Sequence, residues 1–175
     1  VGAVMEAIAH FPKPTISLIY GFCVGGGCEL AIATDLRYAA DNAQFGIPAA
    51  KLGIGIAFQD VRRLVALVGP GFAREILYTG RLFPARRALT MGLVNDVCPV
   101  DQVEMVVHDL AHAIAANAPS SIRWSKRAVR AATGEDGPIT PASPDLAVES
   151  LFDTEDYREG VRAFLEKRKP RFTGR

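Results

Sequence analysis

Gly25-Gly26-Gly27 runs straight into Cys28 and Glu29, an arrangement that could hold a developing negative charge beside a carboxylate. The run lies between a β-prone segment, Thr15-Ile16-Ser17-Leu18-Ile19-Tyr20, and a segment of helical character from about Gly26 to Thr34. The first turn of a helix carries N–H groups without internal partners, and its dipole favours negative charge. Glycines there remove the side chains that would keep a ligand away from those groups. The product is a donor site for an anion, or for a carbonyl oxygen that gains charge during a reaction. Glu29 follows Gly26 by about one helical turn, so it overhangs the same place and could move a proton at a neighbouring carbon.

Nucleotide chemistry fits this run poorly. A P-loop needs Lys after its final glycine, where Cys28 stands, and Gly21, Gly25, Gly26 and Gly27 do not have GxGxxG spacing. Two plainer alternatives stay open: the glycines could serve only close packing of helix on sheet, and Glu29 could only complement the helix dipole. Asp60 is a candidate acid or base, with a helix N-terminal acid as its plainer role. His108 and His112 lie four apart on a helical stretch, with Glu104 one turn earlier as a conceivable third metal ligand. Asp109 stands where the HExxH motif needs Glu, and a solvated polar face accounts for these residues without a metal, so none is expected. Near the end, Lys167-Arg168-Lys169 suits phosphates, or equally a solvated basic helix end.

The elements that must position these residues follow from periodicity and punctuation. Residues 2–11 read as a helix ended by Pro12 and Pro14, and strands are expected over 15–20, 36–40 and 44–47 around the glycine-led helix. Strand, helix and strand in succession favour an α/β fold with a largely parallel sheet. Beyond them, helices are expected over 59–68, 71–78, 103–114 and 120–132, with Pro84 in a first turn and Asp101 with Glu104 as a capping box. The stretch 134–142 reads as a Gly/Pro-rich loop, Ser143-Pro144 as a helix start, and Thr154 as the cap of a last helix reaching Lys169.

Composition narrows the partners. A chain of 175 residues suits one domain with a sizeable core, and 49% hydrophobic with 22% charged residues is the balance of a globular protein. A net charge of +1 gives no reason to expect nucleic acid or a membrane surface as partner, and no apolar run reaches a membrane-spanning length. Cys23, Cys28 and Cys98 form no CxxC pair and read as reduced thiols of a cytoplasmic protein, Cys28 as a small packing residue.

From Pro14 to its end the chain resembles the enoyl-CoA hydratase/isomerase (crotonase) superfamily. The resemblance rests on Gly21-Phe22-Cys23-Val24-Gly25-Gly26-Gly27-Cys28-Glu29-Leu30, Ala43-Gln44-Phe45-Gly46, Lys51-Leu52-Gly53, Thr79-Gly80-Arg81 and Gly92-Leu93-Val94. Arg158-Glu159-Gly160 and Ala163-Phe164-Leu165-Glu166-Lys167-Arg168-Lys169-Pro170 extend it to the C-terminus. The resemblance implies an α/β fold with a crotonase-type ββα spiral core over 12–97, preceded by the helix 2–11, and a helical C-terminal trimerisation region over 98–175. A homotrimer or hexamer is implied with it. Gly26, with Gly25 beside it in the substrate-binding turn, falls on an oxyanion-hole donor for the thioester carbonyl. Glu29 falls on the first catalytic glutamate of the hydratases. Phe164 and Lys167 fall on positions that help hold the adenine and phosphate end of coenzyme A. Coenzyme A would be part of an acyl-CoA substrate, and no permanently bound cofactor is implied.

Three departures qualify that picture. Where hydratases carry a second glutamate after the proline that follows the Phe-Gly strand, Pro48 is followed by Ala49. The family's next glycine-rich turn is replaced by Gly53-Ile54-Gly55-Ile56-Ala57-Phe58-Gln59-Asp60, which should reshape the acyl pocket. The family's N-terminal layers, with the other oxyanion donor, are not found, so the chain is expected to be the C-terminal portion of a longer one. Enoyl-CoA hydration or dehydration is the expected activity. The alternatives are double-bond isomerisation with a single carboxylate, a non-catalytic acyl-CoA-binding homologue, and a scaffold without a CoA site.

Overall fold

In a computed structural model, residues 2–135 and 148–175 are described. The expected helix start at Ser143-Pro144 and most of the Gly/Pro-rich loop lie outside the described residues.

Two short strands followed by a helix form the unit this chain repeats. After α1 (Gly2–Ala9), β1 (Ile16–Ile19) and β2 (Phe22–Val24) lead into α2 (Gly26–Ile32). β3 (Leu36–Ala40) and β4 (Gln44–Gly46) then lead, through a 3-10 turn over Pro48–Leu52, into α3 (Phe58–Thr79). Equivalent strands of successive units pair in parallel, Ile16 opposite Leu36 and Phe22 opposite Gln44. β5 (Phe83–Pro84) adds antiparallel to β4, α4 (Ala85–Met91) follows, and β6 (Asp96–Cys98) adds in parallel to β3.

The result is two three-stranded sheets, β1-β3-β6 and β2-β4-β5, where one largely parallel sheet was expected. β2 escapes a periodicity test because its three residues, between Gly21 and Gly25, are too few to show alternation. Pro84 is in extended backbone as the cap of α4 and does not stand in its first turn. The two expected helices 59–68 and 71–78 are the two arms of α3, broken where Gly69 (φ 72°, ψ 165°) precedes Pro70.

Phe45, Ile47, Leu64 and Leu93 are fully buried where strands and helices of this part meet, and the Phe45 and Phe83 rings stack with centroids 6.1 Å apart. Each such side chain contributes roughly 1.5–3 kcal/mol by leaving water. Arg37 is buried with them and serves as an internal cap. Its Nε donates to the Leu93 carbonyl at 2.8 Å and one terminal nitrogen donates to the Thr34 carbonyl at 2.6 Å, just past the end of α2. Burial pulls its pKa below the usual arginine value, with the nearby Asp35 carboxylate acting the other way.

The chain divides into two compact units, Val1–His108 and Asp109–Arg175, the boundary falling within α5 (Val103–Ala115). Val103 and Val107 pack with Ala40 and Cys98 in a second small core of the first unit. The second unit contains α6 (Pro119–Ala132), a 3-10 turn over Val148–Leu151, and α7 (Glu155–Leu165), whose cap Thr154 accepts a hydrogen bond from the Tyr157 N–H. α7 stops at Leu165, short of Lys169. Lys167 adopts φ 53°, and Glu159 draws the chain back by accepting from the Arg168 guanidinium and, at 2.9 Å, from the Arg171 N–H. Arg168, then Arg162, then that N–H hold the Glu159 carboxyl well below the usual carboxylate range.

Among the described residues, no helix is long and apolar enough to cross a membrane. His108 Nε2 lies 3.9 Å from Glu104 Oε1 on α5, with both side chains mostly exposed.

Gly46 ends β4 where no side chain fits: a Cβ there would lie 2.8 Å from Leu82 Cδ2 and 2.9 Å from the Arg81 carbonyl oxygen. Gly46→Ala should therefore destabilise the fold by about 1–3 kcal/mol, read as a lower denaturant midpoint. An unchanged midpoint would show that the segment after α3 yields freely.

Candidate active site

The glycine turn joins β2 to α2 through Gly25, whose φ of 56° and ψ of −123° suit glycine alone. The Gly25 N–H donates to the Gly46 carbonyl at 2.8 Å, prolonging the β2–β4 ladder by one bond. Glu29 N–H donates to the Gly25 carbonyl at 2.9 Å, so the N–H groups of Gly26, Gly27 and Cys28 precede the first bond of the helix. Apart from the turn's own neighbouring residues and helix backbone, no atom of the described residues lies within 4 Å of where a Cβ would sit on Gly25, Gly26 or Gly27. Close packing of helix on sheet is therefore not what these glycines serve: the places where their side chains would stand are open.

A cavity of about 380 Å³ adjoins the turn, and Gly25, Gly26, Glu29 and Asp60 all line it. Ala49, which stands where the resemblance implies a second glutamate, lines it as well. Ile47, Leu52, Ile54 and Ile56 form an apolar wall, so the segment that replaces the second glycine turn faces this cavity. Glu29 is half-buried, and its carboxyl is pushed above the usual range first by that burial and then by repulsion from the Asp60 carboxylate.

Asp60 stands in the first turn of α3, as expected for a helix N-terminal acid, but it is only 2% exposed and faces more than the dipole. Its Oδ1 accepts from Arg63 at 3.0 Å, and the other terminal nitrogen of Arg63 donates to Glu6 Oε1 at 2.7 Å. Arg63 and Glu6 were not singled out from the sequence. The Asp60–Arg63 pair could have been found from its i,i+3 spacing on a helix, whereas Glu6, on α1, comes within reach only through the fold.

Cys23 and Cys28 lie under the turn, buried and free, with Cys23 Sγ donating to the Gly27 carbonyl at 3.5 Å. The hydrogen bond with Cys23 and then burial push the Cys28 thiol well above its ordinary value, which suits a packing residue. Phe164 and Lys167 belong to the second unit. Phe164 is 83% exposed at the end of α7, and Lys167 is exposed beyond it. The neighbouring Arg168 is occupied by carboxylates, 2.6 Å from Glu159 and 2.5 Å from Glu166, so the basic run is not a uniform phosphate-binding cluster.

Sheets built from like strands of successive ββα units, with a glycine-led cavity at one strand-to-helix turn, define the class. The chain belongs to the enoyl-CoA hydratase/isomerase family, whose model matches residues 1–175. The match takes in α1 and the whole chain, which extends the resemblance read from Pro14 onward. Among its relatives, the short-chain-enoyl-CoA hydratase of Clostridium acetobutylicum is 38% identical over 95% of this chain and 64% of its own length. The crotonyl-CoA hydratase of Syntrophomonas wolfei is 39% identical over 97% and 65%. The chain thus spans slightly less than two thirds of the length of these curated relatives. A crystal structure of an enoyl-CoA hydratase/carnithine racemase from Magnetospirillum magneticum is 38% identical, with a TM-score of 0.88 over 98% of this chain and 63% of that one. The α/β crotonase-type fold expected from the sequence is the fold these neighbours share.

A carboxyl raised in the folded state is more readily protonated there than in the unfolded chain. Its stabilising contribution is present below the unfolded value and is lost as pH rises through the folded one. Glu29→Gln should therefore raise the melting temperature at neutral pH, with the gain shrinking toward zero at or below about pH 4. A gain that grows on acidification would contradict the assigned shift.

Proposed function

We propose that this chain acts on an acyl-CoA thioester, hydrating an enoyl-CoA or dehydrating its product, and that the glycine-turn cavity is the place of reaction. The observation that carries the proposal is the convergence on one apolar-walled cavity of the glycine-led helix N-terminus, Gly25 and Gly26, and a half-buried carboxyl, Glu29. The names of the relatives from C. acetobutylicum and S. wolfei support the same activity.

In this reading the Gly26 N–H, with Gly25 shaping the turn, receives the thioester carbonyl oxygen as it takes on enolate charge. One such donor contributes roughly a hundred- to a thousandfold in rate. Glu29, its carboxyl raised above the usual range by its surroundings, exchanges a proton with the α-carbon of the acyl group. Phe164 and Lys167 help hold the adenine and phosphate end of coenzyme A, which is carried by the substrate and not by the protein as a permanent cofactor. Residues 12–97 act as the catalytic spiral core and 98–175 as the helical region through which three copies, or two sets of three, assemble. The apolar side chains that α7 leaves exposed, Val161, Phe164 and Leu165, support such an assembly. A cytoplasmic location accords with three free, buried thiols.

Ala49 favours one second reading, isomerisation of the double bond, because a single proton-carrying carboxylate suffices for it and no water need be activated. Crotonyl-CoA separates the possibilities. Loss of its enoyl absorbance indicates hydration, and solvent deuterium entering the α-carbon of retained enoyl substrate indicates isomerisation. Tight binding without either change leaves a non-catalytic acyl-CoA-binding protein. Glu29→Gln should lower kcat by about 10²–10⁴-fold. Turnover unaffected by that substitution would remove Glu29 from the chemistry.

A further inference from the structure

Ala49 deprives the cavity of one carboxylate, yet α3 brings another to the same wall. Asp60 lines the cavity opened by the glycine turn, is buried, and is held by Arg63, whose side chain is only 6% exposed. Arg63 is itself gripped from the far side by Glu6 on α1. Burying a guanidinium between carboxylates of two helices is a weak way to gain stability, because the desolvation cost consumes most of the Coulomb attraction. What such a clamp does well is fix the direction of a carboxylate, since the planar fork of arginine admits few geometries.

We propose that Asp60 is the water-activating carboxylate of this site, in place of the glutamate that Ala49 lacks, and that Arg63 and Glu6 are the positioning residues that aim it. The inference rests on the cavity being the enoyl thioester site. Hydration would then run as follows. Asp60 takes one proton from a water whose oxygen bonds to the β-carbon. The π electrons of the double bond shift toward the thioester, whose oxygen carries the charge at the glycine-turn donors. Glu29 gives its proton to the α-carbon as the carbonyl re-forms. The product has gained one water, and the proton held by Asp60 and the one lost by Glu29 re-equilibrate through solvent. Repulsion from Asp60 is one of the two causes that raise Glu29, so the two carboxyl groups influence one another across the cavity.

Substitution with rescue tests this, using crotonyl-CoA hydration by the chain as it stands. Asp60→Asn, close in shape, should lower kcat about 100-fold or more while KM changes less than about threefold. Adding Ala49→Glu to that variant should recover at least about tenfold in kcat, because a carboxylate returns to the same cavity. Arg63→Met should also lower kcat, and Ala49→Glu should recover it too, since a carboxylate at 49 needs no clamp from Arg63. A residue of purely structural importance would show no such recovery. A wild-type chain that hydrates crotonyl-CoA, paired with an Asp60→Asn variant within about threefold of it, overturns the role of Asp60 and leaves the site assignment standing. Failure of Ala49→Glu to restore a folded Asp60→Asn variant, folding being checked by circular dichroism, overturns it equally. A wild-type chain that neither hydrates nor isomerises crotonyl-CoA removes the site assignment and this role together.

Discussion

The hydrogen bond from the Gly25 N–H to the Gly46 carbonyl carries more than its length suggests. It is the last rung between β2 and β4, and it falls at the residue where the chain turns into α2. Through it the N-terminus of a short helix is registered against a sheet, and with it the direction of the Gly26 N–H and the position of Glu29. Both partners have to be glycine for different physical reasons. Gly25 needs a left-handed φ, whereas Gly46 has the Arg81 carbonyl and Leu82 pressed against the face where a side chain would stand. The donor turn is thus held from beneath by backbone and left open above.

Two buried arginines complete the frame around that bond. Arg37 gathers the carbonyls just beyond the C-terminal end of α2 and ties them to the strand region near Leu93, so the short helix is anchored at both ends. Arg63 links the first turn of α3 to α1 through Asp60 and Glu6. The two differ in what they face. Arg37 is surrounded mainly by carbonyl oxygens and fastens structure to structure. Arg63 sits between two carboxylates, one of which borders the cavity, and this joins the placement of a helix to the electrostatics of the site.

Glu29 shows how the surroundings turn an ordinary carboxyl into a chemical one. Partial burial disfavours its charge, and the Asp60 carboxylate on a different helix disfavours it further. The second of these influences comes from a residue distant in the chain. Ile47, Leu52, Ile54 and Ile56 give the same space an apolar wall, beside which a charge is less well solvated than at a polar surface.

The glycine turn, the strand–helix punctuation around it, the break at Gly69-Pro70 and the cap at Thr154 were legible in the residues themselves, because each depends on local backbone chemistry. The same local legibility picked out Glu29, whereas the loss at Ala49 was visible only through the resemblance to the hydratases. What the sequence left hidden was non-local. β2 was too short to announce itself by alternation, and the split into two sheets depends on which strands of successive units pair. The end of α7 is set by Glu159 reaching Arg168 and the Arg171 N–H beyond it, a contact that helix propensity does not contain. Above all, whether the glycines packed or presented their N–H groups, and whether Asp60 met Glu29 at one cavity, were decided by folding. A residue's type states what chemistry it is capable of, but only the packing of helices from distant parts of the chain sets the burial and neighbouring charge that bring that chemistry out.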